Sequence, residues 1–428
     1  MNGGRREGIT RAGNETPGTE IAKLPITRNT LLLSASMAAL YGMVQLSAAI
    51  ATVTFVAVTG VGGLAGLGPA IFLATAALAA FPMGRAMDRF GRIPVLATGY
   101  GVGIAGSVLT GLGALGSSAA LVVAGFVLIG VTTGAAILTR AAAADMYPPE
   151  RRAWGISLVL FGAVFGALLG PLVFVPLTAG RNPDVGSPVA PWFAAAVFMA
   201  VALALVLSVR PDPRRIAEIL AARSDTGGDR TTEPAAPLSE ILRRRGAVPA
   251  LLAALTSYSV MVGMMTLSGY ILVGHGHHQG AVFPVVSAHF VGMFGLVLFV
   301  GSIIDRMGRT LALVGGLLLL GLSVLAVVWA VESVTLTSLA LFGIGLGWNF
   351  SFVAATAELV DLTSPVERGK ILGFNDLLSG LLGATLALLG GVVLAAIGLV
   401  GLGVAGLILS IIPVLLILKA APKAARST

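Results

Sequence analysis

The segment GRAMDRFGR, from Gly84 to Arg92, decides the fold, because it returns as GSIIDRMGR from Gly301 to Arg309. Both copies fit the pattern G-x-x-x-D-R-x-G-R, and they lie 217 residues apart. Each copy directly follows a long apolar stretch. A second pair of similar segments begins at Asp145 and at Asp361, at nearly the same spacing. Two echoes at one spacing indicate that the chain contains two copies of one structural unit.

The composition is that of a membrane protein. Apolar residues make up 56% of the 428 residues, charged residues only 11%, and the mean hydropathy is +0.96. A soluble domain carries about 25% charged residues. Apolar stretches long enough to span a bilayer are found at 30–57, 63–86, 94–116, 119–141, 154–177, 190–209, 248–273, 282–304, 310–331, 335–358, 371–395 and 398–418. We therefore predict an all-α membrane protein with twelve transmembrane helices in two six-helix bundles.

The basic residues predict the orientation of the chain. Lys and Arg are concentrated in the loops of one side, whereas the loops of the other side hold essentially Arg181 alone. Basic loops mark the cytoplasmic side, so both termini are predicted to be cytoplasmic. The basic residues that give the formal net charge of +8 then lie in loops beside the lipid bilayer. This distribution explains the charge without a nucleic-acid partner, and we expect none. The predicted divisions are a tail (1–28), an N-terminal bundle (29–210), a linker (211–246), a C-terminal bundle (247–419) and a second tail (420–428).

The repeated segment and the arrangement of six stretches, a linker and six stretches resemble the major facilitator superfamily. This resemblance implies a monomeric secondary transporter in the bacterial inner membrane, with two bundles that rock around a central site. It also implies that the repeated segments form a conformational latch, in which Asp88 meets the start of the eleventh helix and Arg92 pairs with Asp145. The implied latch residues are Gly84, Asp88, Arg89, Gly91, Arg92, Asp145, Asp305, Arg306 and Arg309.

A soft-metal site is suggested by the methionine and histidine residues of the seventh and eighth stretches. Met261 and Met265 lie one helical turn apart, as do His289 and Met293. Thioether and imidazole groups suit copper, and the chain has no cysteine that would supply a thiolate. The M-x-x-x-M and H-x-x-x-M patterns resemble the CcoA-like bacterial copper importers. That resemblance implies these four residues as ligands and copper as the cargo, with no permanently bound cofactor.

Each part of this site also has a purely structural interpretation. Paired methionines commonly fill hydrophobic cores, although a histidine inside a membrane helix is a functional candidate as a metal ligand or a proton carrier. The loop residues His275, His277 and His278 would either capture metal outside the membrane or form a solvated turn. Four further soft or polar side chains are candidates to line the central cavity, namely Met43, Gln45, Met264 and Asn349.

Two other functions stay open. The first is a proton-coupled multidrug or metabolite antiporter, with His289 as its protonation switch. The glycines Gly162, Gly166 and Gly170 resemble part of an antiporter motif, but small residues at this spacing equally favour close helix packing. The second is a metal sensor that does not transport. The sequence has no phosphate-binding Gly-Lys-Ser/Thr loop and no Ser/His/Asp arrangement, so we expect neither ATP-driven transport nor an enzyme.

Overall fold

A computed structural model describes residues 24–148, 151–178, 189–224 and 236–420, and it is helical throughout, with no strand among these residues. The N-terminal half contains seven α-helices and a short 3-10 turn before the second of them. The helices are α1 (Ile26–Thr59), α2 (Leu67–Phe90), α3 (Arg92–Leu115), α4 (Ala119–Ile137), α5 (Thr139–Asp145), α6 (Arg152–Thr178) and α7 (Ala190–Leu207).

Two short helices lie in the linker, and six helices form the C-terminal half. The linker helices are α8 (Pro213–Ser224) and α9 (Leu238–Arg243). The C-terminal helices are α10 (Ala247–Gly274), α11 (Val282–Phe294), α12 (Val300–Met307), α13 (Arg309–Ala330), α14 (Val334–Asp361) and α15 (Pro365–Ala420). Residues 1–23, Arg181 and 421–428, which carry part of the predicted tails and the one basic outer loop, lie outside the described residues.

Nine helices within the described residues are long and apolar enough to cross a membrane. The stretches predicted at 154–177 and 282–304 hold shorter apolar helices, at Trp154–Leu169 and Gln279–Phe294. The last two predicted stretches are both contained in α15, whose backbone leaves the helical conformation at Gly398 (φ 71°, ψ −173°). The chain is a multi-pass membrane protein, and twelve crossings stay a prediction.

The eighth predicted helix is not continuous. The chain leaves α11 after Phe294 and forms turns through 295–299 before α12 begins. Amide groups there bond three residues back, as from Phe299 N–H to the Leu296 carbonyl at 2.9 Å. Such bonds tighten the helix into a 3-10-like turn. The hydrophobicity of 282–304 could not predict this break, because the turn residues are as apolar as their neighbours.

The repeated segment makes the same turn in both halves. Gly91 separates α2 from α3 with φ 97°, and Gly308 separates α12 from α13 with φ 83°. Side chains disfavour this left-handed region, so the second glycine of the motif is required by the backbone. At Gly84 the structure leaves room for a side chain, because a Cβ atom there would meet nothing closer than a Leu138 methyl at 4.0 Å.

The two halves touch along four helix pairs: α1 with α10, α1 with α11, α2 with α15, and α6 with α11. The helices approach closely where residues are small. A Cβ atom on Gly269 of α10 would meet the Ala49 carbonyl of α1, and one on Gly66 would meet Ala387 of α15. These contacts lie toward the ends of α1 and α10 that are predicted to be outside, so the halves are packed together on that side.

Candidate functional site

The predicted latch contains an ion pair within each half. Arg92 donates from Nε to Asp145 at 2.7 Å and from Nη1 to Asp88 at 2.8 Å. In the C-terminal half, Arg309 Nη2 lies 2.9 Å from Asp361. The two pairs occupy equivalent positions of the repeat, and each joins the start of one helix to the end of another helix in the same half. Arg92 and Asp145 are the less exposed pair, with 16% and 21% of their side chains accessible.

Asp88 does not lie where the resemblance places it. Its side chain is 76% exposed and binds Arg92 of its own half. The first turn of α15 instead contains its own acidic residue, Glu367, whose carboxylate accepts the Ser364 N–H at 2.9 Å. Of the other motif residues, Arg89 stacks on Phe90, Arg306 is exposed, and the Asp305 side chain is outside the described part.

The linker is bound to both halves by hydrogen bonds that the sequence did not predict. Asp212 accepts the N–H groups of Arg92 (3.2 Å) and Ile93 (2.8 Å) at the start of α3, and Arg214 donates to the carbonyls of Asp88 and Arg89 at the end of α2. These are the backbone groups that helix ends leave without partners. A carboxylate directly before an apolar run is a sequence signal for a helix cap. This signal does not identify Asp212, because Asp212 lies 120 residues away from the helix it caps.

At the other end of the linker, Arg244 binds Glu367 with both arms of its guanidinium group, at 2.7 and 2.8 Å. Arg244 also donates to the Leu362 carbonyl at 2.7 Å. Glu367 is nearly buried, and its carboxylate raises the pKa of the Arg244 guanidinium. The linker thus holds α3 at one end and the start of α15 at the other.

An ion pair between described residues joins the two halves. Arg140 of α5 donates from Nη2 to Asp376 of α15 at 3.0 Å, and both side chains are 39% exposed. The pattern of apolar stretches did not identify Asp376, because one carboxylate barely changes the hydropathy of the stretch 371–395. A lone acidic residue in a membrane helix is itself a functional signal, and that signal could have identified it.

A continuous row of aromatic rings crosses the interface between the halves; we call it the aromatic wall. It begins in α1, passes through α11 and α14, and ends in α10. Its members are Tyr41, Phe290, Phe294, Trp348, Phe352 and Tyr258.

The wall is made of edge-to-face and stacked contacts. Tyr41 meets Phe290 and Phe294 edge-on with centroids 5.7 and 5.0 Å apart, and Trp348 stacks on Phe352 at 5.2 Å. Tyr41, Tyr258, Trp348 and Phe352 are half-buried, whereas Phe290 and Phe294 are buried. The sequence holds a trace of this feature, because 290/294 and 348/352 are i, i+4 aromatic pairs.

His289 is completely buried beside the wall, with its ring 5.9 Å from that of Phe290. Its Nδ1 lies 2.9 Å from the Leu341 carbonyl of α14. A carbonyl only accepts, so Nδ1 carries the proton and Nε2 presents a lone pair. Nε2 has no hydrogen-bond partner among the described residues. A ring fixed through one nitrogen in this way presents the other to a metal or a hydrogen-bond donor.

The predicted methionine ligands lie in one buried cluster. Met261 and Met265 of α10 and Met293 of α11 belong to it, as do the further candidates Met43 and Met264. Helix α10 packs mainly along α15, and α11 packs mainly along α14. Helices α10 and α11 therefore contact each other less than the two helices of an antiparallel hairpin do. The structure therefore buries these methionines in the hydrophobic core without making the two helices close partners.

The loop histidines bind separate backbone groups. His275 binds the Ile271 carbonyl of its own helix at 2.7 Å, whereas His277 binds the Val331 carbonyl at 2.8 Å, and His278 is exposed. Within the described ranges, no three His, Asp or Glu side chains are grouped so as to hold a metal. Metal capture by this loop stays a prediction, and it would require His275 and His277 to leave these carbonyls.

Gln45 and Asn349 are buried, and both contact α11. Gln45 donates to the Phe283 carbonyl at 3.1 Å and to the Ser287 hydroxyl, which in turn donates to Ala167 of α6 at 2.7 Å. Asn349 donates to the Met293 carbonyl. The amide oxygens of both residues have no partner in the part of the chain that the structure covers. Gln45 and Ser287 thus link α1, α11 and α6 across the interface of the halves.

Comparisons with known proteins agree on the type of protein. The sequence model of the Major Facilitator Superfamily matches residues 30–357. An uncharacterized MFS-type transporter of Bacillus subtilis, YdeG, is 31% identical over 386 residues, 89% of each chain. The riboflavin transporter RfnT of Brucella anthropi is 30% identical over 308 residues, 70% of this chain and 72% of that one. A crystal structure of a peptide transporter, POT, has a similar fold, with a TM-score of 0.71 at 18% identity and coverage of 95% and 98%.

Proposed function

Because the chain belongs to the Major Facilitator Superfamily, and is thus a secondary transporter, we propose that its cargo is a planar aromatic organic solute. The observation that carries this proposal is the aromatic wall, which crosses from α1 of one half to α10, α11 and α14 of the other. Alternating access moves the halves against each other. A flat solute between Tyr41 and the rings of the C-terminal half would therefore contact both moving parts.

The chemistry of the wall suits such a solute. Aromatic rings prefer offset-stacked or edge-to-face partners, which flat ligands provide, and these contacts add to the burial of apolar area. RfnT is a riboflavin transporter, and riboflavin is a molecule of this kind. The similarity to RfnT supports the proposal and leaves the solute of this chain to be measured. Location in a bacterial cytoplasmic membrane, and function as a monomer without enzymatic activity, complete the proposal.

The test is uptake of riboflavin into proteoliposomes, compared between two tryptophan variants. Trp348 is part of the wall, whereas Trp329 is 71% exposed on the outer surface of α13. Trp348→Leu should lower uptake at subsaturating concentration about tenfold, because one stacking partner is lost. Trp329→Leu is the matched control and should leave uptake unchanged. Equal uptake by both variants would contradict a role for the wall.

Copper is a second candidate cargo, favoured by the unpaired Nε2 of His289 and by Met293 one turn further along α11. Met261 and Met265 lie in the same buried cluster. Copper uptake into the same proteoliposomes under reducing conditions tests this candidate. Saturable uptake that His289→Ala and Met261→Ala/Met265→Ala both abolish would favour copper. Riboflavin uptake that survives these changes would favour the organic solute.

A further inference from the structure

Four polar atoms without partners belong to side chains that lie on α11 or contact it, and together they describe the ligand. Three have already been described: Gln45 Oε1, His289 Nε2 and Asn349 Oδ1. The fourth is the Trp348 indole N–H, which also has no partner within the described residues. We call these four atoms the polar row. Buried polar groups are nearly always paired, so four such groups beside one helix require an explanation.

The hydrogen bonds that these side chains make determine which atoms of the row are acceptors and which are donors. Gln45 and Asn349 each donate an amide N–H to a backbone carbonyl, and a carbonyl only accepts. Their unpaired atoms are therefore the amide oxygens, and the unpaired atom of His289 is a lone-pair nitrogen by the same reasoning. The row thus offers three acceptors and, from Trp348, one donor.

The partners of the row place it along the helix. Gln45 bonds at Phe283 and Ser287, His289 belongs to the next turn, Asn349 bonds at Met293, and Trp348 contacts Phe294 at 6.1 Å between ring centroids. From residue 283 to residue 293 the axis rises about 15 Å. This is the length of a fused-ring molecule with a polar chain, and it exceeds a single ring.

We infer, building on the proposed function, that the substrate is an uncharged, elongated heteroaromatic molecule that presents several N–H or O–H donors and one acceptor to the polar row. Every group in the row is neutral: Gln45, His289 and Asn349 are buried, and Trp348 packs against the hydrophobic core. A charged ligand would be costly to bury there. Gln45 belongs to the half that moves relative to α11, so opening this contact exposes the row to the interface.

The experiment measures binding of riboflavin and of 3-methylriboflavin to the purified full-length protein by equilibrium dialysis. Methylation removes one ring N–H donor and leaves the flat ring system in place. We expect 3-methylriboflavin to bind about tenfold more weakly, because a buried acceptor is left unpaired. His289→Asn keeps a donor for the Leu341 carbonyl, and Asn349→Leu removes the amide. Gln45→Leu removes the other amide, and at least one of these three variants should bind the two flavins equally.

Two further variants make the result specific. Trp348→Phe keeps a ring and removes the N–H donor, so it should weaken both flavins several-fold and equally. The control is Asn375→Leu, because Asn375 is another buried side chain without partners in the described chain, on α15. It should not change the preference between the flavins. Thermal unfolding of each variant separates a binding effect from misfolding.

The outcomes separate this inference from the proposed function. Equal binding of both flavins to the native protein would overturn the inference and leave an aromatic cargo standing. Failure of both flavins to bind, together with tight binding of Cu(I) that His289→Asn abolishes, would overturn both. A tenfold preference for riboflavin that persists in His289→Asn, in Asn349→Leu and in Gln45→Leu would also overturn the inference, because no acceptor of the row would account for it.

Discussion

Arg140 and Asp376 join the two halves of the transporter through an ion pair of 3.0 Å between residues 236 positions apart. Tyr41 and Tyr258, at the two ends of the aromatic wall, are the titratable groups that interact with this pair from α1 and α10. Alternating access separates the halves on one side at a time. The pair, on the side predicted to be inner, must therefore break once in every cycle.

Neutralising this pair should shift the equilibrium between the two access states. Both side chains are 39% exposed, so solvent screens the pair and its contribution is about 0–1 kcal/mol. Asp376→Asn should thus favour the state that is open on this side by up to about fivefold. The chain has no cysteine, so spin labels on cysteines at Arg152 and Arg368 report the distance cleanly. Glu218→Gln, which affects an exposed pair inside the linker helix α8, is the control, and the charge exchange Arg140→Asp/Asp376→Arg should restore the native distribution.

The two equivalent ion pairs of the repeat should contribute unequally to stability. Arg92 and Asp145 are 16% and 21% exposed, whereas Arg309 and Asp361 are 32% and 56% exposed. Removing a partner from the less exposed pair leaves a poorly solvated charge. We expect Asp145→Asn to lower the free energy of unfolding by about 1–2 kcal/mol and Asp361→Asn by about 0–1 kcal/mol. Denaturant unfolding in detergent measures both, and a larger effect of Asp361→Asn would contradict the burial argument.

Asp212 should act as a distant cap of α3. It accepts the N–H groups of Arg92, Ile93 and Arg214, so Asp212→Ala should cost about 0.5–2 kcal/mol of unfolding free energy. Asp212→Asn keeps a side-chain oxygen and should cost less. Glu218→Ala, which breaks an exposed pair with Arg214 of the same linker helix, should be nearly neutral. Equal losses from Asp212→Ala and Glu218→Ala would show that the capping bonds contribute little.

The junction of the linker with α15 should require arginine at position 244. The guanidinium group binds both oxygens of Glu367, and the ammonium group of lysine does not reproduce this geometry. Arg244→Lys should therefore loosen the junction almost as much as Arg244→Ala. Limited trypsin cleavage after Arg243 or Arg245 measures this loosening and should become several-fold faster. Arg309→Lys, in a single-contact pair of the same half, is the control and should not change the cleavage rate.

The sequence predicted the repeat and the helical fold, because these depend on local patterns. A glycine at a left-handed turn and an apolar stretch of about 20 residues are visible in any window of the chain. The break after Phe294 was missed because it occurs among apolar residues. The role proposed for Asp88 stays a prediction, since in this structure its carboxylate binds Arg92, one turn away on the same side.

The candidate site was predicted in part. His289, Gln45 and Asn349 were identified as polar residues in membrane helices, a signal that survives without knowledge of the packing. The aromatic wall and the pair of Arg140 with Asp376 were not, since each depends on which helices are neighbours across the interface of the halves. Helix order along the chain does not reveal that α5 meets α15 or that α1 meets α11.

The arginine–aspartate pairs in the two copies of the repeat also affect which substitutions the chain tolerates. Arg92 with Asp145, and Arg309 with Asp361, each fasten two helices of one half and leave the other half untouched. A substitution at the ion pair of one half therefore leaves the equivalent pair of the other half in place. One copy of the duplicated unit could acquire His289 and its neighbours while the other kept Phe72 at the equivalent position. Twofold architecture and a binding surface built mainly from one half are compatible for this reason.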